Sequence, residues 1–114
     1  MPREIDWRGT SRDDLAGMPE GVRKQFGTKI RYLANDQLVS GISPFHGIGP
    51  SGKELKSGGY RLVLTTEFAG VIHPLHAFKK DSGRGKKTRG RHVEVIQERY
   101  KELCQEYSAR SRKQ

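Results

Sequence analysis

KELKSGGYRLVLTTEFAGVIHPLHAFKK, residues 53–80, decides the fold of this chain. Lys56-Ser57-Gly58-Gly59 is a turn signal, because glycine reaches positive φ at no steric cost. Tyr60 to Thr66 is rich in aromatic and β-branched residues and reads as a strand. Ala69-Gly70 allows a second turn, and Val71 to Phe78 returns antiparallel. The stretch is therefore a β-meander. It runs directly into KKDSGRGKKTRGR, residues 79–91, which is mostly positive charge and glycine. A small sheet that feeds into a cationic loop presents a surface suited to a polyanion.

Outward from the meander, the chain reads as helices. Glu4 to Trp7 is a short strand candidate. Ser11 is placed as an N-cap, with Asp13 and Asp14 in the first turn where the helix dipole favours them. Leu15 and Met18 share one side of that short helix, which stops before Pro19. Pro19 then suits the first position of a second helix. Val22, Phe26, Ile30 and Leu33 follow at helical spacing, with Arg23, Lys24 and Arg31 away from the stripe. Gly27 weakens this helix by roughly 1 kcal/mol relative to alanine. Residues 35–52 carry no sustained period and read as a loop. Gly90 is expected to open the last helix. There Val93, Ile96, Tyr100, Leu103 and Tyr107 recur, and Glu94, Glu98, Glu102 and Glu106 line another face. Ser108 to Gln114 is polar and basic and is expected to fray. The order is strand, two helices, three strands, helix. That is an α+β layer of helices on an antiparallel sheet, forming one domain over residues 1–114.

Composition narrows the partner. Among 114 residues, 22 Lys and Arg oppose 13 Asp and Glu, a net charge of +9, which favours nucleic acid or an acidic protein. Hydrophobic residues make up 32%, so the core is modest. No apolar run approaches a membrane span and no signal peptide is visible. Cys104 is the sole cysteine, which leaves no disulfide framework and no cysteine-based zinc site. A reduced, intracellular setting is expected.

Two motifs invite chemistry and fail on context. Gly47-Ile48-Gly49-Pro50-Ser51-Gly52 matches GxGxxG, and Gly47, Gly52 and Lys53 fall at GxxxxGK. Glu54 occupies the place where a phosphate loop needs Ser or Thr for magnesium. Too few residues separate Gly52 from Gly58-Gly59 for either motif to open a helix, so a plain glycine-rich loop is expected. His73 and His76 stand three apart, and in a regular strand they point to opposite faces. Pro74 between them marks a bulge or an edge. No carboxylate cluster completes a metal site.

The basic run gains meaning from its position. With a turn at Gly70, antiparallel pairing brings Arg61 near the end of the last strand. Arg61, His76, Lys79 and Lys80 then share one rim. Arginine and lysine clamp phosphate and offset charge that develops during transfer. Histidine matches general acid–base work near neutral pH. If His76 and Phe78 instead both face the core, His76 is a packed, hydrogen-bonded side chain. Tyr60 and Tyr100 lie within apolar stripes and are expected to pack. Phe45 and His46, in the loop, are freer to meet a base.

These residues together resemble a known family. Lys56-Ser57-Gly58-Gly59-Tyr60-Arg61-Leu62-Val63 resembles the strand–turn–strand of RelE-type toxins. Leu75-His76-Ala77-Phe78-Lys79-Lys80 is similar to the LHAFxKK signature of the phage-derived, HigB-like branch of that superfamily. Phe45-His46-Gly47 stands where many members carry Leu-Lys-Gly or Leu-Arg-Gly. The resemblance implies a RelE-like fold: a twisted antiparallel sheet with two N-terminal helices and a C-terminal helix. It implies the toxin of a type II toxin–antitoxin system, a metal-independent, cofactor-free, ribosome-dependent messenger-RNA endoribonuclease of the cytoplasm. The implied partners are a cognate antitoxin, expected to be a helix-turn-helix protein, the ribosome with its mRNA, and operator DNA bound by the toxin–antitoxin pair. Arg61, His76 and Lys80 become the catalytic candidates. Lys53, Lys56, Lys79, Arg84, Lys86, Lys87 and His46 become the RNA-binding candidates. Departures are Glu54 where RelE-like members often carry lysine, the missing tyrosine after Lys80, Pro74 within the strand, and His46 in place of a basic residue. The competing class is a basic RNA- or DNA-binding module without catalysis, such as a degenerate toxin acting in operon repression.

Overall fold

The computed structural model describes residues 2–80 and 85–112, with side chains described for 2–80 and 90–110. Its elements are α1 (Ser11–Ala16), α2 (Glu20–Ala34), β1 (Ile42–Pro44), β2 (Gly52–Ser57), β3 (Tyr60–Thr65), β4 (His73–Lys79) and α3 (Gly85–Arg112). The strands form an antiparallel meander in the order β1-β2-β3-β4. The fold is α+β, as expected.

Alternation along β3 separates two cores. Leu62 and Leu64 point to one face, where they meet Leu15 and Met18 around α1, and Phe26, Ile30 and Ala34 of α2. Val63 points to the other, where it meets Leu75, Ile48, and Ile96 and Leu103 of α3. β3 is thus buried on both sides, which is why its sequence reads as a continuous apolar run. Most of the predicted α2 stripe is buried as read: Phe26, Ile30 and Ala34 fully, Val22 and Leu33 partly.

Several boundaries differ from the sequence reading. Glu4 to Trp7 is not a full strand. Only Ile5 bridges to β4's approach, at Ile72 and in parallel, and the amides of Asp6 and Arg8 bond to the carbonyls of Ile72 and Pro74. This segment covers the outer edge of β4, where Pro74 has no N–H to offer. The loop at 35–52 contains β1, whose three residues are too few to show a period. Thr10 rather than Ser11 is the N-cap of α1. Ser11 is buried inside the helix, and its hydroxyl donates to the Pro74 carbonyl at 3.1 Å. Pro19 caps α2 rather than entering it.

The last helix begins at Gly85, five residues before Gly90, so half of the expected basic loop is helical. Lysine and arginine are good helix formers, and each glycine costs the helix only about 1 kcal/mol. The same helix runs on to Arg112 instead of fraying from Ser108. Arg110 holds its last turns, bonding Glu106 at 3.1 Å and lying 4.8 Å over the Tyr107 ring.

The glycine-rich loop before β2 proves to be a packing device. Ile48 is fully buried in the α3-side core. Gly49 takes φ +77, and a Cβ there would strike Tyr100 and Glu67. At Gly52 a Cβ would strike Ile48 and the Phe45 carbonyl. Close approach of chain to chain, not of chain to phosphate, accounts for these glycines.

Candidate nucleic-acid interface

The β2–β3 hairpin sets the rim. Gly58 at φ +58 makes the tight turn, and Arg61 pairs with Lys56 across it and with Phe78 of β4 on its other side. The Lys80 amide donates to the Gly59 carbonyl at 2.6 Å, so Lys80 lies just beyond the start of β3. Arg61, Lys56 and Lys80 therefore gather at one end of the sheet. Lys56 and Lys80 are exposed. The Arg61 guanidinium is held. Its Nη1 donates to the carbonyls of Gly58 and Tyr60 at 2.8 and 2.9 Å, and its Nε lies 3.8 Å from Glu54. That fixes its position and offsets part of its charge.

Pairing also sorts the remaining cations by face. Arg61, Lys56, Phe78 and His76 stand on the α3 face. Lys79 pairs with Tyr60 and lies 5.9 Å over that ring, on the α2 face. Lys53, paired with Leu64, shares the α2 face. The single rim of Arg61, His76, Lys79 and Lys80 is thus divided between two sides of the sheet. His46 is exposed in the loop between β1 and β2. Lys86 and Lys87 lie on α3's first turns, and Arg84 falls outside the described residues, as do the side chains of all three.

His76 sits deeper than expected. β4 carries a bulge: Val63 pairs with His76 and Leu64 with Pro74, leaving Leu75 as the extra residue. The shift turns Leu75 and His76 toward α3 together, and brings His73 to the same face. The irregularity that Pro74 signalled between His73 and His76 is present, and it is what puts the two histidines on one face. His76 is 9% exposed and stacks on Phe78 at 5.3 Å. Its Nε2 lies 2.8 Å from His92 Nδ1, and its Nδ1 lies 3.4 Å from Arg99 Nη1 and 3.8 Å from Asp14. Burial pushes its pKa down to about 4, the charges of His92 and Arg99 adding to the effect and Asp14 opposing it. His76 is neutral at pH 7. The neutral ring carries one proton, shared between the His92 contact at Nε2 and the Arg99 and Asp14 contacts at Nδ1. The packed arrangement, with His76 and Phe78 both under a helix, is the one present.

Arg99 ties this network together. It donates to the Leu75 carbonyl at 2.7 Å and to Thr10 at 3.1 Å. Further along α3, Tyr100 donates to Glu67 at 3.0 Å, and Glu106 pairs with Arg8 at 2.5 Å. Burial, with hydrogen bonds to Cys104 and Glu67, raises the Tyr100 pKa. His73 is fully buried, its Nδ1 unpartnered and its pKa lowered by that burial. Sequence reasoning missed His92 and Arg99. The signal was present: His92, Ile96, Arg99 and Leu103 recur at four and three, so the true inner face of α3 includes two polar residues. Val93 belongs to neither core. Among the described residues no three His, Cys, Asp or Glu side chains group as a metal site, and no helix is long and apolar enough to cross a membrane.

The comparisons agree with this architecture. The family described as Phage derived protein Gp49-like (DUF891) matches residues 13–101. No curated protein matches the chain. Among solved structures, the isolated RelE toxin of E. coli superposes with a TM-score of 0.59 at 18% identity, covering 82% of this chain and 98% of that one. The RelBE2 toxin–antitoxin complex from Mycobacterium tuberculosis superposes with a TM-score of 0.50 at 17% identity, covering 70% and 100%. At such identities the likeness is one of fold. With the match spanning residues 13–101 and the meander set between its helices, the chain belongs to the phage-derived Gp49-like family, and its fold is like that of the RelE toxin.

Proposed function

We propose that this chain is the toxin of a toxin–antitoxin pair and a ribosome-dependent endoribonuclease that cuts messenger RNA in the cytoplasm. The observation that carries the reading is the gathering of Arg61, Lys56 and Lys80 at the turn end of the hairpin. In the proposed reaction the ribose 2′-oxygen attacks the adjacent phosphorus. The O2′–P bond forms, the P–O5′ bond breaks, the 2′-proton leaves to a base, and the 5′-oxygen takes up a proton. Arg61, pinned by two carbonyls, is the preorganised charge that stabilises the phosphorane-like transition state. Lys80 adds charge beside it. Lys53, Lys56, Lys79, Arg84, Lys86, Lys87 and His46 steer the strand. His76 is closed off while α3 is docked, so its proposed part is to hold α3 in place rather than to move a proton.

The partners follow from the same reading: an antitoxin of helix-turn-helix type that neutralises the cationic rim, and operator DNA bound by the pair. One observation favours a second reading, in which the chain binds RNA or DNA without cutting it. Glu54 lies 3.8 Å from Arg61, where a carboxylate repels phosphate. Induced expression in a bacterium separates the two. Growth arrest that Arg61→Ala relieves supports the nuclease; harmless expression of the folded wild-type chain supports the binder.

A further inference from the structure

The outer face of α2 holds a feature that the rim does not use. Arg23, Lys24, Gly27, Thr28 and Arg31, with Glu20, line a shallow open groove of about 540 Å³. It lies on the side of the sheet opposite Arg61. Arg23 and Arg31 stand four residues either side of Gly27, each about 6 Å from it along the helix axis. Both are exposed, and among the described residues neither guanidinium has an ion pair or hydrogen bond. Glu20 is occupied by Lys24 at 3.1 Å.

Gly27 is the second observation. It sits mid-helix, where glycine is unfavourable, and a Cβ built on it meets nothing within 4 Å. No packing in the fold requires the missing side chain. Its absence leaves a floor of bare backbone between two unpaired guanidinium groups, which is the shape a close-approaching phosphate needs.

The occupant follows from what the groove lacks. No aromatic side chain lines it, and single strands are held by stacking on aromatics. No apolar side chain lines it either, and a docking helix needs apolar anchors. What remains is recognition by charge and shape, the mode by which proteins hold the backbone of duplex RNA. We propose that the α2 groove binds the sugar–phosphate backbone of double-stranded RNA, with Arg23 and Arg31 clamping phosphate across Gly27. The inference rests on the reading of this chain as a protein that acts on RNA. It gives the molecule two RNA surfaces: the rim for the strand that is cut, and α2 for a folded RNA that holds the protein in place.

The test is fluorescence anisotropy of the full chain with an RNA duplex of about 16 base pairs and with a single strand of the same length. Arg23→Gln/Arg31→Gln should weaken duplex binding at least tenfold and flatten the log–log salt slope by about 1.4–1.8. Arg12→Gln/Lys101→Gln, with the same loss of charge elsewhere, should do much less. Gly27→Gln fills the groove with a better helix former. It should weaken duplex binding without lowering the thermal midpoint. Groove variants that bind the duplex as the charge-matched control does would overturn the inference. So would equal losses on duplex and single strand, or loss of binding to a polyglutamate peptide alone. Cleavage on ribosomes is read separately. If Arg61→Ala loses cleavage while the groove variants bind normally, only the groove fails. If the groove variants lose the duplex and the wild type cuts nothing, only the nuclease reading fails.

Discussion

The two faces of the sheet are built differently. The face under α1 and α2 is closed by hydrocarbon: Leu15, Met18, Phe26, Ile30, Leu55, Leu62, Leu64 and Ile72, all with little or no exposure. Among the described residues, the face under α3 has five buried apolar side chains and completes its closure with polar ones. His76, His92 and Arg99 hold one end of α3, and Tyr100 with Glu67 and Arg8 with Glu106 hold the rest. Hydrocarbon contact is non-directional and sums with area, so it secures the fold. Hydrogen bonds and ion pairs depend on geometry and pH, so they set the position of α3 over the functional face rather than most of the stability.

The largest expected effect tests this directly. Phe26→Ala should destabilise the chain by about 3–5 kcal/mol, and Leu103→Ala by an amount toward the lower end of roughly 2–5 kcal/mol. Both are read from denaturant unfolding. A larger loss from Leu103→Ala would mean that the α3 face, not the α2 face, is the main core.

The α3 face should also be the acid-sensitive one. His76 is held near pKa 4, against 6.5 when unfolded, with Asp14 of α1 and Arg99 and His92 of α3 facing it. Between those values the unfolded chain binds a proton that the folded chain excludes. The neutral ring's contribution is complete above about pH 6.5 and is lost as pH falls toward 4. The loss is on the order of 3 kcal/mol. His73, lowered in the same direction, adds to it. Comparing urea midpoints from pH 8 to 4, His76→Leu should show a shallower decline than the wild type. Identical declines would contradict a buried neutral His76.

Much of this was legible beforehand, for physical reasons. The meander was, because Gly58 and Ala69-Gly70 place turns at positive φ on either side of the apolar run of β3. The α2 stripe was, because Phe26 and Ile30 bury on one helical face. The depth of His76 was not. It depends on a bulge at Leu75 that moves two side chains to one face; Pro74 signalled an irregularity, but not which side chains it would turn inward. The start of α3 was hidden because Lys86 and Lys87 read as solvated charge, although the same residues favour helix. The split of Lys79 from His76 and Phe78 was available from strand alternation alone.

A smaller effect sharpens the view of the glycine-rich loop. Gly49→Ala should cost about 1–3 kcal/mol, because alanine is strained at φ +77 and Tyr100 and Glu67 occupy the space of its side chain. Thermal unfolding checks this. An unchanged midpoint would mean that the loop does not pack under α3 as described.

We propose that the rim of the β2–β3 hairpin is where RNA is cut and that Arg61 carries the charge stabilisation. Single-turnover cleavage of messenger RNA on programmed ribosomes, corrected for folded fraction, tests it most directly. Arg61→Ala should lower the rate at saturating ribosome by on the order of 10²-fold while Lys79→Ala chiefly weakens binding. A rate for Arg61→Ala equal to that of the wild type would contradict the account.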